Sequence, residues 1–95
     1  MRVPRFTGPV RVSPAGADSF HVMLRTTSGT FNPVDTWYYT NVKDGKWSPV
    51  LEIGRTTQRP WRHKAVTLTS GNAGQALAVW PERPGLVARW IQPEP

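Results

Sequence analysis

Residues 36–51 read Thr36-Trp-Tyr-Tyr-Thr-Asn-Val-Lys-Asp-Gly-Lys-Trp-Ser-Pro-Val-Leu51. Asp44-Gly45 between two β-rich runs predicts a two-residue type I′ turn, because that turn needs positive φ at both central positions and Asp-Gly tolerates it. The turn sets a register: Lys43 faces Lys46, Val42 faces Trp47, Thr40 faces Pro49 and Tyr38 faces Leu51. One face of the hairpin then carries Tyr38, Thr40, Val42, Trp47, Pro49 and Leu51. The other carries Trp37, Tyr39, Asn41, Ser48, Val50 and Glu52. Both faces bear large apolar groups, so this sheet needs cover on both sides. Pro49 has no N–H to give to a ladder, which places its strand at an outer edge.

Working outward, the chain says nearly the same thing twice. Gly8-Pro-Val-Arg-Val-Ser13, a Gly-bearing turn and Phe20-His-Val-Met-Leu24 are matched some 56 residues later. There the chain reads Lys64-Ala-Val-Thr-Leu-Thr69, a Gly-bearing turn and Leu77-Ala-Val-Trp80. Each copy then passes a second turn into an aromatic-containing strand, Trp37-Tyr-Tyr-Thr-Asn41 or Leu86-Val-Ala-Arg-Trp90. Ten prolines and eight glycines punctuate the sequence, and proline inside a helix costs roughly 3 kcal/mol, so long helices are not expected. Short alternating runs rich in Val, Thr and aromatics read as all-β. The expected architecture is one domain of two antiparallel β-meander repeats, about 8–54 and 64–92. Such units stack on neighbours because one alone cannot bury its faces.

These residues resemble the blades of lectin-type and sialidase-like β-propellers. A blade there runs as an apolar strand, a glycine turn, a strand like Leu77-Ala-Val-Trp80, a short turn, a strand like Leu86-Val-Ala-Arg-Trp90 and a closing strand like Asp44-Gly-Lys-Trp-Ser-Pro49. The likeness spans residues 8–92 in two imperfect copies. It implies propeller-like architecture and glycan binding, not glycosidase chemistry: Asp44 and Gly45 are adjacent, so the Ser-x-Asp-x-Gly-x-x-Trp box of sialidases is not met. The second unit lacks a fourth strand, and residues 1–9 are the candidate to close it. Two blades do not make a ring of the usual four to eight. The chain is therefore expected to act as a homo-oligomer or as part of a larger assembly, or else to fold its two units into a small β-sandwich or barrel.

Twelve Lys plus Arg against six Asp plus Glu give a formal net charge of +6, a field that attracts polyanions, nucleic acid among them. With no cysteine there is neither disulfide framework nor thiolate metal site. His21 and His63 lack metal-ligand spacing. No run of about 18 apolar residues is present to span a membrane, and Met1-Arg-Val-Pro-Arg5 does not read as a signal peptide. A cytoplasmic location is the expectation. No nucleophile elbow or Gly-rich phosphate loop accompanies the Ser, His and Asp residues. The expectation is a non-enzyme with no catalytic residues, metal or cofactor.

The interest then lies in the tryptophans. Trp47, beside Val42 and Leu51, is expected in the core, as are Trp80 and Trp90. Trp61, between Pro60 and Arg62 in a polar connection, is expected exposed. Trp37 shares its face with Tyr39 and Asn41, a mixed aromatic and polar set. A ligand platform is expected where Trp37, Tyr39 and Asn41 meet Arg59, Trp61 and Arg62 of that connection. Its first expected ligand is a glycan. Single-stranded nucleic acid is a second reading, since aromatics beside arginines stack bases and hold phosphates. A structural part in a phage particle or multi-subunit complex is a third, because an open sheet edge invites pairing.

Overall fold

A computed structural model of the chain describes residues 9–29, 34–57, 66–71, 74–82 and 85–92. It is all-β, in two antiparallel sheets. The first contains β1 (Pro9–Gly16), β2 (Ser19–Ser28), β3 (Val34–Lys43), β4 (Lys46–Trp47) and β5 (Leu51–Thr56). Its order is β1-β2-β3, with β4 and β5 sharing the far side of β3. The second is β6 (Thr67–Ser70), β7 (Ala76–Glu82) and β8 (Gly85–Ile91), in that order. Each sequence repeat is thus one meander and one sheet. The two share no ladder among the described residues and pack face to face as a sandwich. The propeller-closing role expected of residues 1–9 falls almost wholly outside the described residues.

The hairpin forms as its sequence dictates. Asp44 and Gly45 have φ of 52° and 77°, and Val42 pairs with Trp47 and Lys43 with Lys46. Beyond Trp47 the expected register fails. Ser48-Pro49-Val50 leaves the ladder, and β5 rejoins β3 shifted by one, with Tyr38 opposite Glu52 and Tyr39 opposite Leu51. Pro49 sits in this break, on the sheet edge, where its missing N–H costs nothing. Replacing Gly45 with valine is expected to cost at least about 1–2 kcal/mol, the ordinary penalty for a side chain in the left-handed region. Urea unfolding of the variant checks it.

The core lies between the sheets. Met23, Trp37, Tyr39 and Ile53 meet Val66, Ala76, Ala78, Trp80 and Ile91 there. Trp37 and Trp80 are fully buried. Trp80 reaches its place because Gly54 offers no side chain: a Cβ there would lie 2.5 Å from Cε2 and Nε1 of the indole. A hydroxyl relay joins the sheets beside it. Trp37 Nε1 donates to Thr56 Oγ1 at 2.8 Å, and Thr56 Oγ1 donates to the Pro81 carbonyl at 2.5 Å.

Two tryptophans are not where the sequence suggested. Trp47 is 64% exposed and Trp90 58%. The alternation of β3 and the turn sort residues onto two faces correctly, and Trp47 does share the face opposite Trp37. It is the Trp37 face that the second sheet covers, which no local pattern reveals. Trp90 pairs with Leu77 on the outer side of its sheet for the same reason. Trp61 lies outside the described residues.

Candidate functional site

The hairpin turn and the β1–β2 turn project from the same end of the first sheet, and Asp44 N donates to the Asp18 carbonyl at 2.9 Å. Between them opens a cleft of about 510 Å³, lined among others by Phe20, His21, Asn41, Lys43, Lys46 and Trp47. Trp47 forms an exposed aromatic wall. Asn41 and Ser48 are held together by a hydrogen bond from Ser48 Oγ to Asn41 Oδ1 and by Ser48 N on the Asn41 carbonyl, 2.9 Å. Lys43 and Lys46 stand directly opposite one another across the ladder. Like charges so placed repel, and among the described residues neither lysine has an ion-pair partner. The cleft mouth therefore combines a flat apolar ring, an amide and hydroxyl pair, and two cations.

At the inner wall His21 is 1% exposed. Its Nδ1 is 2.7 Å from the Tyr39 hydroxyl, and its Nε2 is buried without a hydrogen-bond partner. Burial pushes the imidazole below its ordinary 6.5 and outweighs the opposing pull of the Gln75 backbone. Burial likewise pushes the Tyr39 phenol up to about 12. At neutral pH both groups are uncharged, so this pair shapes the wall rather than supplying charge.

A stability consequence follows from His21. Above pH 6.5 the ring is neutral folded or unfolded. As pH falls below 6.5 the unfolded chain takes up the proton first, so folding stability declines until the folded-state pKa is passed. Thermal midpoints measured from about pH 7.5 down to about pH 5 are expected to drop more in wild type than in His21→Gln. Parallel curves would count against it.

Of the described residues expected to bind a ligand, only Asn41 lines this cleft. Trp37 and Tyr39 do share a face, but they lie in the interior under the second sheet, with 0% and 5% exposure. Arg59, Trp61 and Arg62 lie outside the described residues. No family model, curated protein or solved structure matches this chain. Among the described residues no helix is long and apolar enough to cross a membrane, and no group of three or more His, Asp or Glu is placed to hold a metal ion.

Lys43, Lys46 and Trp47, which line the cleft, are not among the residues the sequence singles out for binding, although the turn that gathers them is legible. A type I′ turn places the residues flanking it opposite each other, so the Lys43–Lys46 pair was a usable signal. The burial of Trp37 and the exposure of Trp47 carry no such local signal.

Proposed function

We propose that this chain is a non-catalytic binding module, directed at glycans, whose ligand site is the cleft at the Asp44–Gly45 hairpin. The observation that carries the reading is Trp47. Its indole is 64% exposed, and beside the Asn41–Ser48 pair it suits a sugar ring. The ring's apolar face stacks on the indole, and its hydroxyls reach the amide and hydroxyl. The likeness of the two units to lectin-type propeller blades supports the same ligand class. Lys43 and Lys46 extend the reading to sugars bearing a carboxylate or sulfate, whose charge relieves the repulsion between the two lysines.

The same lysine pair favours a second reading, single-stranded nucleic acid, with a base on Trp47 and phosphates on the lysines. Salt separates the two. Oligonucleotide affinity falls steeply with ionic strength through counterion release, whereas stacking of a neutral sugar does not.

A glycan array, together with oligonucleotide titrations at two salt concentrations, tests the proposal on wild type and on Trp47→Ala. Because Trp47 is exposed, the variant is expected to keep its unfolding midpoint within about 0.5 kcal/mol of wild type while losing at least tenfold in affinity. Glycan binding that survives the substitution moves the site elsewhere. Salt-sensitive oligonucleotide binding alone transfers the function to nucleic acid, and an absence of either rejects the module.

A further inference from the structure

The first three strands of the first unit and the three strands of the second pair in matching register. Ser13 pairs with His21 in the first, and Thr69 pairs with Leu77 in the second, each member 56 positions on. Asp18 and Gly74, also 56 apart, take positive φ of 59° and 75° in the two turns. Through the next pairing, Met23 with Tyr39 matches Val79 with Ala88, and Arg25 with Trp37 matches Pro81 with Leu86.

This correspondence shows that the units meet through unlike faces. The first unit buries Met23, Trp37 and Tyr39 against the second; their counterparts Val79, Leu86 and Ala88 lie on the second unit's outer side. The second unit buries Ala76, Ala78 and Trp80; their counterparts Phe20, Val22 and Leu24 lie on the first unit's outer side. One molecule therefore ends in two different surfaces, each the repeat equivalent of half of its own internal interface. Both are apolar. Leu86 and Trp90 are 62% and 58% exposed on one, Val12 and Phe20 55% and 43% on the other. Val22 and Leu24 are already buried within the chain, so the open part of that second surface is Val12 on β1 and Phe20 at the start of β2.

The contacts across the internal interface also keep the repeat spacing. Arg11 Nε donates to the Val66 carbonyl, Ser13 Oγ meets Ser70 Oγ, and Ser70 Oγ donates to the Pro14 carbonyl, at separations of 55, 57 and 56 positions. β1 and β6 thus lie side by side with equivalent residues adjacent, in the same sense along the chain. One step carries unit one onto unit two along this margin.

We infer that a second copy of this chain docks head to tail, its open apolar margin of Val12 on β1 and Phe20 at the start of β2 seated against the Leu86–Trp90 face of the first. The contact repeats the β1–β6 margin of the internal interface between molecules; Val22 and Leu24, already buried within the chain, take no part. Such a heterologous contact uses different patches on the two partners and closes into a ring when the rotation allows. Trp47 lies on β4, which has no counterpart among the described residues of the second unit, so the repeated contact leaves it at the rim. Phe20 also lines the cleft, so the docked copy borders it; the inference does not depend on the cleft's binding a glycan.

Engineered cysteines test it cleanly, since the chain has none of its own. Ser13 sits against Ser70 within the chain, so its counterpart Thr69 sits against Pro14 of the next copy. Mixing a Thr69→Cys protein with a Pro14→Cys protein under mild oxidation is expected to give a crosslinked pair, while neither protein crosslinks with itself. A double variant, Ser13→Cys with Ser70→Cys, is expected to close within one chain and confirms the spacing. Light scattering is expected to give wild type a mass that is a multiple of 10.7 kDa. Leu86→Asp, at an exposed position, is expected to reduce that to a single chain with unchanged circular dichroism. A wild-type monomer overturns the inference. So does Thr69→Cys crosslinking with itself as well as with its mate, which is the mark of a two-fold contact between like faces.

Discussion

Trp37→Ala is expected to lower the unfolding free energy by about 3–5 kcal/mol, the range for emptying a large aromatic from a core. Domains of this size hold only about 5–15 kcal/mol in total, so the variant should be close to unfolded at 37 °C. The ring is fully buried and meets both sheets, so neither can close over the space it leaves. Its loss also strips Thr56 Oγ1 of a donor. Trp37→Phe separates the two effects: it keeps most of the buried ring, forfeits the indole N–H, and is expected to cost about 0.5–1.5 kcal/mol for the hydrogen bond plus a smaller packing loss. Urea midpoints for the three proteins measure this. A Trp37→Ala midpoint near wild type would place the ring at the surface, as a ligand platform requires.

Gly54→Val is expected to be comparably severe. The glycine pairs with Trp37 across the β3–β5 ladder and faces the Trp80 indole so closely that one added carbon overlaps the ring. Trp80 cannot swing aside, because it is itself 1% exposed and hemmed by the core. Overpacking of this kind costs about 1–3 kcal/mol for modest insertions, and a branched side chain exceeds a modest one. Gly54→Ala is expected to fall between wild type and Gly54→Val. If Gly54→Val melts like wild type, β5 does not seat Trp80 as described.

The sequence makes legible the all-β class, the Asp44–Gly45 turn, the two meanders and the face membership of β3, though not that of Leu51 and Glu52, which exchange faces. Those features are local: turn chemistry, period-two alternation and repeated text. What it missed depends on long-range choice. Trp37 and Trp47 occupy opposite faces of one hairpin, and their fates were exchanged because burial is decided by which face the second sheet lies on. The slip of one residue at Ser48-Pro49-Val50 was similarly hidden. Pro49 marked an edge, but nothing marked that β5 would rejoin with Ile53 and Gly54 both turned toward the core. The candidate site suffered most, since choosing Trp37 and Tyr39 as a platform assumed an open face that is in fact closed. Asn41 survived because it lies near the end of β3, where the cover stops.

The relay through Thr56 has a mechanical consequence. β1 and β6 lie together like the spine of a book, and Thr56 on the Pro81 carbonyl acts as its clasp at the fore-edge. Sliding one cover along the other would break the spine contacts and the clasp together. Swinging the covers apart asks only that the clasp and the Gly54–Trp80 seat release. The fold is therefore stiff to shear and compliant to gaping. The first hinge-like opening is expected to wet Trp80, whose indole N–H is buried without a partner and gains one from entering water.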